Sequence, residues 1–186
     1  MSSSFSNADT GNKPADPYKA ESKDETSLAD KIEVLVNFIS SCKFGMMTTR
    51  DPSSNKLVSR CMAIAAKESG GVDLLFFTNT ESHKTDELSA DPHVNISFLD
   101  SSGQWASVSG TATIETDRNL VRQHYSPSLK AVIRVKTGSV TYIVTDKMLL
   151  GRVSEIAKGT VTGSVATPNK LRAVSESEVS EWRASH

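Results

Sequence analysis

The segment 57-LVSRCMAIAAKESGGVDLLFFTNTESHKTDEL-88 decides the fold. Leu57–Ala66 reads as a strand, "ESGG" as a turn, and Val72–Thr78 as a second strand. Few helices separate these and the other strands of the chain, which argues against a parallel βαβ sheet. A short helix to Ala90 follows, with His83 and Lys84 in its first turn. That turn is the positive end of the helix dipole, where cations are disfavoured. Two basic side chains make sense there if an anion sits on the free N–H groups, with Thr78 or Ser82 adding a hydroxyl. The alternative is that both extend into solvent. Arg60 sits mid-strand, on one face with Val58, Met62 and Ile64. An arginine in an apolar face needs a partner. A phosphate suits its forked donors; a structural Asp or Glu would serve as well. If the two strands are neighbours, Arg60, Thr78 and Lys84 could converge.

Working outward, "FGMMTTR" (Phe44–Arg50) is a strand joined to Leu57 by the turn "DPSSNK", an expected hairpin. Before it, Leu28, Ile32, Leu35, Val36 and Ile39 fall at helical spacing, with Thr26 or Ser27 as cap and Asp30 suited to the dipole. On the other side, Asp91-Pro92 stops the short helix. His93–Asp100 alternates with Val94, Ile96 and Phe98 on one face. Gln104–Glu115 alternates too: Ala106, Val108, Gly110, Ala112 and Ile114 share one face, and Trp105, Ser107, Ser109, Thr111 and Thr113 the other. Trp105 on the more polar face is a rim residue or flanks a flat aromatic ligand, and the Gln104 amide could bond a heteroaromatic edge. "TDRNLVRQHY" suits a helix capped at Thr116 or Asp117. Ala131–Thr145 is a long strand with Gly138 a candidate bulge. "SEIAKGTVTG" suits a further short strand, and Ser175–Ala184 a terminal helix.

Six or seven strands with few intervening helices predict a mainly β protein with peripheral helices, an antiparallel barrel. The expected organisation is a disordered tail over 1–24, a domain over 25–170 and a helical tail over 171–186. The 186 residues carry 21 basic and 22 acidic side chains, and this balance argues against a nucleic-acid binder. No apolar run approaches a membrane span. The N-terminal segment lacks the pattern of a secretory signal and, with no Arg, of a mitochondrial presequence. Cys42 and Cys61 form no CxxC pair and read as two reduced, buried thiols, which fits the cytoplasm. The four histidines show no metal spacing, and neither GxGxxG, GxxxxGK[ST] nor GxSxG occurs.

Taken in order, "SRCMAI", "LLFFTNTESHKTDEL" with "DPHVNISFLD", and "QWASVSGTATI" resemble the FMN-binding split barrel of the pyridoxamine 5′-phosphate oxidase-like superfamily. The branch resembled is the general stress protein type, which includes the fungal blue-light-inducible proteins. The similarity spans about Thr26 to Lys170. It implies an FMN cofactor whose phosphate is held by Arg60, His83 and Lys84, with Ser82 beside them. It implies that Cys61, Met62, Ala63, Phe77 and Thr78 line the ribityl chain and ring, and that Gln104 and Trp105 approach the ring from another strand. It further implies a homodimer with two flavin sites at the subunit interface, and flavin redox chemistry on an unidentified small molecule. The rival expectations are a flavin-binding stress protein that stores or senses the cofactor without turnover, and a barrel that binds no flavin. The sequence departs from the resemblance in two ways. "SPSLKAVIRV" runs straight from Lys130 to Ala131, where relatives carry a Gly/Asp-rich loop. The C-terminal segment has only Arg172 and Arg183, so true pyridoxamine phosphate oxidase activity is not expected.

Overall fold

Phe44–Arg50 (β1) and Leu57–Glu68 (β2) form the expected hairpin, registered from Phe44 opposite Ala63 to Arg50 opposite Leu57. The computed structural model describes residues 26–78, 83–116, 131–144 and 171–186. The expected tail, Ser82, the helix over "TDRNLVRQHY", the strand in "SEIAKGTVTG" and the side chain of His83 lie outside the described residues. A 3₁₀ turn, Ser69–Gly71, leads from β2 into Asp73–Thr78 (β3). Gly70 (φ 65°) and Gly71 (φ 97°) supply left-handed backbone there at little steric cost.

Leu28–Cys42 (α1) begins at Ser27, whose Oγ accepts the Asp30 N–H at 3.2 Å. Its Ile32, Leu35, Phe38 and Ile39 are buried, the stripe that helical spacing requires. His83–Ala90 (α2), His93–Leu99 (β4) and Trp105–Glu115 (β5) follow. Ala131–Ile143 (β6), Leu171–Val174 (β7) and Glu176–Ser185 (α3) complete the order. The sheet runs β3-β2-β1-β4-β5-β6-β7. β3 also pairs with β6, which closes six antiparallel strands into a barrel and leaves β7 as an added strand. This is the expected mainly β, split-barrel architecture.

β6 makes both closure and splitting possible. One edge pairs with β5 along its length; the other pairs with β3 over 131–135 and with β7 over 140–143. Between these stretches Ser109 faces Ser139 while Gly110 faces Thr137, so Gly138 is the extra, bulged residue. Beside the bulge the Thr137 N–H donates to the Asp73 carboxylate (2.9 Å) and its Oγ1 to the Val72 carbonyl (2.6 Å). Inward rows of Val94, Ile96, Phe98, Ala106 and Val108 join Leu74, Phe76 and Tyr142 in one core, completed by the buried face of α1. The Tyr142 hydroxyl donates to the Lys31 carbonyl of α1 at 2.8 Å.

Two differences from the sequence reading stand out. β7 was not foreseen, because four residues, "LRAV", are too short to show a period. Nor are the two thiols buried: Cys42 is partly covered and Cys61 exposed, both free. Cys61 stands between Arg60 and the inward-facing Met62, so alternation turns it to the outer face.

Candidate functional site

β2 and β3 diverge. Their ladder ends at Ile64 opposite Phe76, with a bulge at Ala65. Among the described residues, 57–63 of β2 pair with β1 only. The Ile64 N–H donates to the Lys43 carbonyl (3.0 Å). By antiparallel alternation Met62 and Arg60 also turn their backbone groups to β1, and Cys61 and Ala63 turn theirs to the opposite edge. Phe77 and Thr78 pair on their far side with Val132 and Ala131 of β6. Cys61, Ala63, Phe77 and Thr78 thus flank the place where the barrel wall opens. Met62 is buried and faces inward.

Arg60 reaches from β2 toward α2, which packs across β1 and β5. Its Nη1 and Nη2 donate to Glu87 Oε2 (2.6 Å) and Oε1 (2.5 Å), and Nη1 also donates to Thr49 Oγ1 (3.1 Å). Thr49 in turn donates to Glu87 Oε2 at 2.6 Å. The Glu87 side chain is 6 % exposed and that of Arg60 28 %. The carboxylate alternative weighed for Arg60 is therefore present in the structure. Arg60 holds Glu87 below the ordinary carboxyl range, with Thr49 adding to it, against burial, which pushes it up. Sequence reasoning did not single out Glu87; its signal was a carboxylate three residues after Lys84, on one helical face with it. Lys84 is partly buried and makes no ion pair among the described residues. His83 is the first residue of α2, as expected. Thr78 is buried at the end of β3.

Gln104 and Trp105 lie elsewhere in the chain. They open β5, separated from β2 by β4 and β1. Three strand spacings separate them from β2, about 14 Å along the sheet. The Gln104 amide donates to Asp100 Oδ2 (2.9 Å) and Ser102 Oγ (2.8 Å), holding the β4–β5 turn. Trp105 lies opposite Leu99 on one side and Ile143 on the other, and Ile143 opposite Leu171. Continuing the β1–β4 register brings Phe44 level with Leu99. The result is an apolar row across the outer face, in which Phe44 is 56 % and Leu99 71 % exposed. No group of three metal-ligating side chains occurs among the described residues, and no described helix is long and apolar enough to cross a membrane.

Comparison with known proteins gives this arrangement a family. The family described as "Pyridoxamine 5'-phosphate oxidase like" matches residues 30–166. Protein bli-3 of Neurospora crassa is 55% identical over 204 residues, covering 98% of each chain. That alignment is longer than the 186-residue chain, so bli-3 has residues without a counterpart here. The fold is shared with General Stress Protein 26 of Bacillus anthracis (TM-score 0.52, 19% identity, 59% of this chain and 91% of that one). It is shared also with a pyridoxamine 5'-phosphate oxidase-related, FMN binding protein of Nostoc punctiforme (TM-score 0.53, 12% identity, 80% of this chain and 96% of that one). The chain belongs to the pyridoxamine 5′-phosphate oxidase-like family.

Proposed function

We propose that this family member binds FMN as a homodimer and serves in the cytoplasm as a flavin-dependent oxidoreductase on a small molecule, within a stress or light response. One observation carries the cofactor assignment. β2, whose residues 57–63 pair with β1 only among the described residues, carries a partly exposed arginine; its Glu87 partner lies three residues after a lysine in the first turn of α2 that makes no ion pair among the described residues. Cations, helix N–H groups and free backbone donors are the parts a phosphate needs. Arg60 and Lys84, with His83 and Ser82, would hold the phosphate. Cys61, Met62, Ala63, Phe77 and Thr78 would line the ribityl chain and the inner side of the ring. When bound, the flavin supplies the hydride or electron chemistry. The chain's own residues bind and orient it and keep water from one face.

The dimer is supported by the apolar row. Phe44, Leu99, Trp105, Ile143 and Leu171 lie on one outer face, where a second copy would remove them from water. It would also bring Gln104 and Trp105 of one copy to the flavin of the other, which the strand separation within one chain does not favour. The name of the Bacillus relative supports the stress assignment. A flavin-binding protein without turnover is the second reading. It is favoured because the carboxylate beside the phosphate position, Glu87, is spent on Arg60 and is not placed to move a proton.

The deciding experiment is a visible spectrum of the purified protein after loading with FMN and removal of the excess, with the mass measured in solution. Flavin bands near one per chain on a dimer are expected. A colourless, folded protein refutes the cofactor assignment. Arg60→Ala or Lys84→Ala should each weaken FMN binding by about 1.5–3 kcal/mol, the scale of a hydrogen bond to a charged group.

A further inference from the structure

Three arginine–carboxylate forks hold the described part of the molecule together, and they differ in the edge of the guanidinium they spend. Arg183 grips Asp73 with Nε and Nη2 (2.8 Å each). Arg134 grips Glu68 with the same pair (2.9 and 3.3 Å) and turns Nη1 to Glu115 (2.7 Å). In both, the side edge of the guanidinium is occupied by protein. Arg60 is built the other way. Glu87 takes the terminal edge, one N–H from each terminal nitrogen, and Thr49 Oγ1 also accepts from Nη1. The Nε–H and the second N–H of Nη2 remain, side by side and parallel. Among the described residues neither has a partner.

Glu87 is itself fixed. Its Oε2 receives both Arg60 and Thr49, it is buried, and it sits in α2 one turn after Lys84. From this geometry we infer that Glu87, braced by Thr49, is a positioning residue: it clamps Arg60 by its terminal edge so that the Nε–Nη2 edge is presented to the cofactor phosphate. The same clamp ties α2 to β2, and so sets Lys84 at a fixed place relative to that edge. The inference rests on the FMN assignment above. It predicts a cost to Glu87's charge, since a carboxylate beside a phosphate repels it. A long side chain left unclamped would instead lose rotamer freedom on binding the phosphate, which also costs affinity. The structure favours the clamp, because the fork is end-on and leaves a two-donor edge that matches two phosphate oxygens.

The test measures dissociation constants of FMN and of riboflavin, which lacks the phosphate, for the parent, Glu87→Gln and Thr49→Val. Each substitution is repeated in an Arg60→Ala background. Glu87→Gln should weaken FMN roughly tenfold, the scale for a group that orients a ligand-binding side chain. Thr49→Val should weaken it in the same direction. Riboflavin affinity should stay at the parent's value, and neither substitution should have a further effect once Arg60 is gone. A general loss of structure would instead weaken both flavins alike, and that result overturns the inference. FMN binding that is unchanged or tighter in Glu87→Gln also overturns it, and tighter binding would make Glu87 a competitor of the phosphate. If Glu87→Gln does not fold, Thr49→Val carries the same comparison. A parent that binds no FMN defeats the cofactor assignment itself. A parent that prefers FMN to riboflavin, with variants indistinguishable from it, defeats this inference alone.

Discussion

Replacing Arg183 by alanine tests how the C-terminal helix is tied to the barrel. Arg183 places Nε and Nη2 at 2.8 Å from the two Asp73 oxygens, and Nη2 also donates to the Thr137 carbonyl at 2.6 Å. Asp73 is buried and would keep only the Thr137 N–H (2.9 Å) and the Ser69 hydroxyl (2.8 Å). Removing one partner of a buried pair costs about 3–5 kcal/mol, because the other charge is left uncompensated. The two surviving hydrogen bonds and partial solvent access to Arg183 place the expected loss near the low end, about 3 kcal/mol. For a chain of this size that lowers Tm by roughly 6–12 °C. The pH dependence has a definite sign. Burial pushes the Asp73 carboxyl up, but Arg183, Thr137 and Ser69 together outweigh it and hold it below 3.8. In the parent, the stabilisation is present above the unfolded value and is lost as pH falls through the depressed folded one. In Arg183→Ala the strongest of the groups that lower it is gone, so the carboxyl moves up from its parent position and takes a proton at a higher pH than in the parent. The difference between parent and variant should therefore shrink as pH falls into the carboxyl range and through the parent's depressed value. Urea unfolding followed by far-ultraviolet circular dichroism measures it at each pH. A variant within about 1 kcal/mol of the parent at neutral pH, the size of one ordinary hydrogen bond, would refute the reasoning. So would a gap that widens on acidification.

Gly110→Ala should be among the most damaging small substitutions, because a Cβ there collides with the Lys136 carbonyl oxygen and lies 3.1 Å from the Thr137 Cα, both backbone. β5 and β6 would have to part beside the bulge, at about 3 kcal/mol or more, and a thermal melt would show it. Tyr142→Phe removes a single hydrogen bond between barrel and α1 while keeping the packing. A loss of about 1 kcal/mol is expected in the same assay. Glu87 gives a second acid signature: Arg60 and Thr49 hold its carboxyl below 4.5 against burial. Its stabilisation is present above that value and lost as pH falls through the depressed one, whereas Glu87→Gln has no such titration. Denaturant midpoints of parent and variant should therefore converge in acid; a constant offset would show that Glu87 contributes no titrating stability.

Much of the barrel was legible in the sequence because its strands carry their information locally. β1, β4 and β5 alternate with period two, and the faces assigned from Val94, Ile96 and Phe98, or from Ala106, Val108 and Ala112, are the buried faces. Ser27, Asp91-Pro92 and Gly138 marked a helix start, a helix stop and a bulge through backbone chemistry that each residue brings with it. The helix opening at His83 was legible for the same reason. What periodicity does not encode is which distant groups meet. β7 has four residues and no readable period; it exists because the far half of β6 offers an unpaired edge after β3 leaves it. Arg60 announced from sequence that it needs a partner, since a charge on an apolar face must be paired, but the identity of that partner was undetermined. Only the packing of α2 across the barrel brings Glu87, 27 residues further on, to its terminal edge and leaves the other edge open. The sequence alone determined β1 to β6, the buried faces of β4 and β5, and that Arg60 needs a partner. The tertiary structure decided how the barrel closes and which way its arginine points, because those depend on contacts between residues that only chain closure makes neighbours.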